Sequence, residues 1–158
     1  MTFDFMSLEK PTKKWRPADI DALLDLARVM ESPNFEIMTW PDLPDLEENG
    51  TRIVQMPYPE YNPVVGLIVQ MLYDSSAYID PYGTLPEDPE VDGRPFQPMG
   101  AEFPPDYFPR ATLNQVRRYL VLCTRGEKFC DGHIGAEFRK GSFPAAFARL
   151  RALRSEMN

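Results

Sequence analysis

Apolar residues recur at helical spacing in five stretches of the chain, separated by segments where that spacing breaks down. From Pro17 to about Glu31, Ile20, Leu23, Leu24, Leu26, Ala27 and Met30 fall on one side of a helix. Asp21, Asp25 and Arg28 fall on the other. Asp19 and Asp21 lie near the N-terminus, where a helix dipole favours negative charge. Ser32-Pro33-Asn34 stops this run. The stretch Asn62 to Asp74 differs in kind. Asn62 offers an N-cap oxygen and Pro63 fills the first helical position, where its missing N–H costs nothing. Val64, Val65, Leu67, Ile68, Val69, Met71 and Leu72 then cover most of the circumference, leaving only the stripe Gly66, Gln70 and Asp74. Such a helix is expected to be enclosed by several neighbours and to act as the axis of the fold. It is too short to cross a bilayer, which takes about 20 apolar residues.

Three further helices are predicted near the C-terminus. Thr112-Leu113-Asn114-Gln115 is a capping box, and Leu113, Val116, Tyr119, Leu120 and Cys123 form one apolar face with Arg117 and Arg118 pointing elsewhere. Gly126 is placed as the C-terminal cap of this helix. Asp131 is placed as the N-cap of a short helix ending near Lys140, Gly141 as its stop, and Ser142 as the cap of the last helix. In that last helix Phe143, Ala146, Phe147, Leu150 and Leu153 share a face, with Ala145, Ala148 and Ala152 opposite. The alanine side is a candidate for contact with the chain's own loop or a second copy.

Two short segments read as strands: Phe35 to Trp40, and Thr51 to Met56, with Asn49-Gly50 as the turn signal between them. They are expected to pair as a small antiparallel hairpin with a long loop. From Ser75 to Arg110 the chain becomes a connection with eight of the 17 prolines, together with Tyr78, Tyr82, Phe96, Phe103, Tyr107 and Phe108. A connection this long is uncommon without a role, and its aromatics argue that it is pegged to the body or forms a recognition surface. The expected architecture is mainly α, α+β at most. It has an arm at residues 1–16 and a single helical domain of about five helices at 17–158, with 75–110 as the Pro-rich loop and room for one small hairpin.

Length and composition agree with one domain that builds its own core: 158 residues, 43% of them hydrophobic. Charge changes the picture more. The net charge of −7 is divided unevenly, with 8 Lys and Arg against 20 Asp and Glu in residues 1–110, and 9 against 4 in residues 111–158. The acidic front disfavours general nucleic-acid binding, and the basic back leaves a local anionic contact open. An internal match between the halves explains the same division. Cys123 and Cys130 lie seven residues apart with no CxxC pattern, which reads as two reduced thiols in a cytoplasmic protein. The first residues lack a basic region followed by an apolar run, so no secretory leader is expected.

Arg125-Gly126-Glu127-Lys128-Phe129-Cys130-Asp131-Gly132-His133, between a capped amphipathic helix and a short helix stopped by Gly141, resembles the C-terminal part of the bacterial domain of unknown function 6508 family. Met56-Pro57-Tyr58 and Leu72-Tyr73-Asp74 are similar to its first half, and the resemblance spans roughly residues 17–154. Between the halves the chain departs from the family, with Tyr78-Ile79-Asp80-Pro81-Tyr82 and prolines where a tryptophan-rich segment is expected. The resemblance implies a small, mostly helical cytosolic protein. It supplies no activity, cofactor or catalytic residue.

Candidate chemistry is sparse. Cys130, Asp131, His133 and Glu137 are the one reactive-looking cluster, with His133 and Glu137 spaced i, i+4. A thiol hydrolase needs a thiolate, a base and an orienting carboxylate, usually brought together from distant segments. Here Cys130 and His133 are three residues apart, and local packing and hydrogen bonding are the stronger reading. One histidine with carboxylates and a thiol falls short of a metal ligand set, so neither metal nor cofactor is expected. No P-loop, dinucleotide fingerprint, HExxH or GxSxG occurs. Candidate binding residues are Gln70, Asp74, Tyr82 and Tyr107, and for nucleic acid Arg149, Arg151 and Arg154. The expectation is a non-enzymatic binding protein acting through a protein partner, away from membranes. The alternatives are an enzyme built on the Cys130 cluster and a nucleic-acid contact through the basic C-terminal helices.

Overall fold

Local cap chemistry sets most helix boundaries in this chain. A computed structural model describes residues 15–74, 90–91, 94–95 and 103–157. Helix α1 (Pro17–Ala27) begins where Asp19 Oδ2 accepts the Arg16 N–H at 3.0 Å, and runs on into a 3-10 turn, Arg28–Glu31. Helix α2 (Pro63–Asp74) opens with the Val64 N–H donating to Asn62 Oδ1 at 3.1 Å. Helix α3 (Leu113–Phe129) has the full capping box: the Gln115 N–H donates to Thr112 Oγ1 at 3.2 Å, and the Thr112 N–H to Gln115 Oε1 at 2.9 Å. Helices α4 (His133–Lys140) and α5 (Ser142–Ser155) are separated only by Gly141, whose φ of 93° suits glycine. The chain is therefore mainly helical, with three small two-stranded ribbons among the described residues.

The ribbons correct the expected strand pairing. Strand β1 (Met38–Thr39) pairs antiparallel with β4 (Glu60–Tyr61), Met38 opposite Tyr61, and the Asn62 N–H donates to Ile37 O at 2.8 Å. Strand β2 (Leu46–Glu48) pairs with β3 (Thr51–Ile53) across the turn Asn49-Gly50. Both turn residues have positive φ, 50° and 75°, as a type I′ turn requires. The turn signal was legible, but the strand it closes lies inside the stretch read as loop. Phe35 to Trp40 finds its partner beyond the hairpin, because the two-residue turn fixes pairing with its immediate neighbours. Strands β5 (Glu90–Val91) and β6 (Arg94–Pro95) form the third ribbon.

Burial also revises which helix is central. Helix α5 packs against α1, α3, α4 and the 3-10 helix Pro105–Arg110, and its buried face of Phe143, Ala146, Phe147 and Leu150 matches the expected one. Helix α2 rests on α1 and α3, burying Val64, Val65, Ile68 and Leu72. Its outer side takes in Gly66 and Gln70 of the expected stripe but also Leu67, 51% exposed, and the exposed Tyr73. The helix buried nearly all round is α3, where Arg117 and Arg118 are as enclosed as Val116 and Leu120. The Arg117 guanidinium lies 4.9 Å from the ring centre of buried Trp15, and burial pulls its pKa down. Trp15 is thus docked on the body, and residues 1–14 lie outside the described residues.

Of the Pro-rich connection, residues 75–89, 92–93 and 96–102 lie outside the described residues. Its last part packs against the helices. Phe103 and Phe108 are buried, and their rings meet Tyr119 edge-on at 5.4 and 4.7 Å. Ser142 does not cap α5; its hydroxyl donates to the Phe103 carbonyl and pins this segment. The charge division is partly internal, since Arg154 holds Asp21 with two bonds at 2.8 and 3.0 Å and Arg151 pairs with Glu31, both joining α5 to the α1 region.

Candidate functional site

Residues 40–60 stand out because none of them is buried. This arm leaves the body at β1, folds back through the β2–β3 hairpin, and returns at β4. Its base is held tightly. Glu127, in the last turn of α3, carries the central acceptor: Tyr61 O–H donates to its Oε2 at 2.8 Å, the Ile134 N–H to the same oxygen at 2.8 Å, and the Gly132 N–H to Oε1 at 2.8 Å. The Gly135 N–H donates to the Tyr61 oxygen at 3.2 Å. One carboxylate thus satisfies N–H groups at the start of α4 and fastens β4 to them. It does the work assigned to Asp131, whose side chain is exposed and makes no cap. Sequence proximity favoured Asp131; Glu127 reaches the same groups from the preceding helix because α3 and α4 fold back on each other.

Two glycines receive the other side of the base. A Cβ on Gly132 would sit 2.8 Å from the Trp40 ring, and one on Gly135 2.5 Å from the Met38 sulfur. Gly132 also has φ 85°, in the left-handed region. Gly132→Ala is therefore expected to cost about 1–2 kcal/mol from backbone strain and to displace Trp40. Urea denaturation followed by tryptophan fluorescence measures both. Gly126 is likewise not a helix stop. It lies within α3, and the His133 ring packs where its Cβ would be, at 2.6 Å.

The sequence candidates are distributed as follows. Cys130 and Asp131 are exposed, and His133 is half-buried against Gly126. Glu137 accepts from Tyr119 O–H at 2.7 Å and from Lys140 Nζ at 2.8 Å, so the structure gives it a bonding role between α3 and α4. Cys123 is fully enclosed beside Tyr119. Among the described residues, no group of three or more His, Cys, Asp or Glu could hold a metal ion. Gln70 lines an open groove of about 520 Å³ between α1 and α2 with Ala22, Asp25, Leu26, Leu67 and Met71. The Asp74 side chain and Tyr82 lie outside the described residues. Tyr107 is half-buried, edge-on to Phe103 and Phe108. Arg149 Nε donates to the Ala111 carbonyl at 2.8 Å, and Arg151 and Arg154 hold Glu31 and Asp21, so all three arginines are engaged within the fold.

Burial raises the pKa of Tyr61, with the bond to Glu127 adding to it, and burial likewise raises Tyr119 and Cys123. In each case the folded state holds a proton that the unfolded chain releases. The stabilisation is fully present below the unfolded values, near 9 for a thiol and 10 for tyrosine, and is lost as pH rises beyond them. Urea midpoints are therefore expected to be unaffected by these three groups near neutral pH and to fall above about pH 9.

The arm's outward face is what sequence reading missed. From Val54 to Tyr61 burial alternates, with even-numbered residues exposed and odd-numbered ones partly covered. Val54, Met56 and Tyr58 are 62%, 77% and 71% exposed. The period-two signal was present beyond Met56, but Pro57 and Pro59 masked it as a turn-rich link.

Together these features define a small helical protein bearing an anchored, projecting, partly apolar arm; no helix among the described residues is long and apolar enough to cross a membrane. The chain belongs to the family of unknown function (DUF6508), which matches residues 15–156. No curated protein and no solved structure matches it.

Proposed function

We propose that this is a non-enzymatic protein-binding module of the cytoplasm whose contact surface is the arm of residues 40–60. The observation that carries the reading is the combination of a fixed base with an outer part rich in exposed Leu43, Leu46, Ile53, Val54, Met56 and Tyr58. Large apolar side chains grouped on one projecting element are characteristic of interaction surfaces, whereas scattered ones need no explanation. The Glu127–Tyr61 anchor reduces the ordering cost of binding. Two unbridged thiols support the cytoplasmic setting.

The test is capture of the tagged full chain from native lysate, beside a Val54→Asp/Met56→Asp/Tyr58→Asp variant. The proposal expects a reproducible protein at near-stoichiometric yield with the unmodified chain and its loss with the variant. No such partner, or one retained equally by both, would contradict it.

A further inference from the structure

The geometry of the arm says more about its partner, and this inference rests on the protein-binding reading. Residues flanking a two-residue turn exchange hydrogen bonds with each other, so the next residues out, Glu47 and Arg52, point their N–H and C=O groups away from the hairpin. The same parity along the outgoing chain selects Val54, Met56 and Tyr58, the exposed members of the alternation. Among the described residues, none accepts a hydrogen bond from the backbone N–H of these three. Pro57 and Pro59 occupy the opposite parity, so they leave the outward donors intact. The 52–58 segment thus runs on from β3 with exposed apolar side chains, and among the described residues nothing accepts the N–H groups of Val54, Met56 and Tyr58. Natural proteins usually cover or charge such an edge.

Charge selects what covers it. Residues 40–60 carry five carboxylates, Asp42, Asp45, Glu47, Glu48 and Glu60, against one base, Arg52. That arginine is held by Asp45, with Nε 2.6 Å from the carboxylate. A second arm laid edge to edge would bring like charges together, and nucleic acid would be repelled. We propose that the 52–58 edge accepts an added strand from a partner protein, an extended segment alternating apolar and basic residues. Its apolar side chains pack on Val54, Met56 and Tyr58, its backbone bonds the outward groups, and its basic side chains face the flanking carboxylates.

Two fluorescent peptides of about ten residues, one alternating Val and Lys and one alternating Val and Glu, test this with the full chain. The Val/Lys peptide is expected to bind at least about tenfold more tightly, by an amount that shrinks with added salt. It should also slow amide exchange at Val54, Met56 and Tyr58. Val54→Pro removes one outward donor and should abolish binding, with Met56→Pro as the second variant and circular dichroism confirming the fold of each. Equal affinity for the two peptides, protection elsewhere on the chain, or binding unchanged in both proline variants would overturn the strand-addition proposal. A partner from lysate that survives both proline variants but not the triple aspartate variant would overturn strand addition alone. Absence of any lysate partner would count against the protein-binding reading itself.

Discussion

Ile68→Asp is expected to unfold the protein. Ile68 is 0% exposed at the centre of the α2 face that rests on α1 and α3. The change removes a buried aliphatic side chain, about 2–3 kcal/mol, and places a carboxylate where it has no water. Together these costs reach on the order of 5 kcal/mol or more, comparable to the whole stability of a typical domain. Leu67→Asp, one residue earlier but half-exposed toward the α1–α2 groove, is expected to change stability by less than about 1 kcal/mol. Circular dichroism and urea titration of the pair separate a helix buried on one face from one enclosed on all sides. Equal damage from both would mean that α2 is enclosed all round.

Glu127→Ala is expected to have the second largest effect, a loss of about 2–4 kcal/mol. It leaves the Tyr61 hydroxyl and the Gly132 and Ile134 N–H groups without their shared acceptor and removes a negative charge from the start of α4. Glu127→Gln keeps one carbonyl acceptor and should fall between wild type and alanine. The damage should be local before it is global. Amide exchange at Asn62, whose N–H closes the β1–β4 base on Ile37, should accelerate more than exchange at the centre of α3. Urea denaturation gives the total, and the exchange pattern shows whether Glu127 anchors the arm in particular.

These two residues also mark what could be read from the chain alone. Features decided by near neighbours were legible: the Thr112–Gln115 box, the Asn62 cap, the Asn49-Gly50 turn and the apolar faces of α1 and α5. Features decided by distant neighbours were not. Tyr61 meets Glu127 across 66 positions of sequence, and no local spacing announces that bond. Asp131 looked like the cap because it adjoins the helix, while the carboxylate that performs the task belongs to the helix before. Apolarity also misled. Helix α2 is more apolar than α3, yet α3 is the more enclosed, and Arg117 and Arg118 are buried within it. A long side chain can be covered along its stem and stacked on a ring such as Trp15, so charge alone did not place these residues at the surface.

The Cys130–His133 stretch shows how a chemical motif can have a structural basis. Gly132 and the following Gly135 accept Trp40 and Met38, Gly126 gives room to the His133 ring, and Glu127 ties the Gly132 and Ile134 N–H groups to Tyr61. Gly132, Gly135 and Glu127 form a socket beside the residues that looked reactive, and the base of the 40–60 arm is seated in it. The family to which the chain belongs has no stated activity, so the surface that this socket holds outward is the natural object of experiment.

Photo-crosslinking in cells tests the central claim most directly. A photoreactive amino acid would be placed at Met56 on the arm and, separately, at exposed Ala152 on α5. The account predicts one discrete crosslinked protein from position 56 and none of comparable yield from position 152. Crosslinking from position 152 with none from position 56 would contradict it and move the contact surface to the last helix.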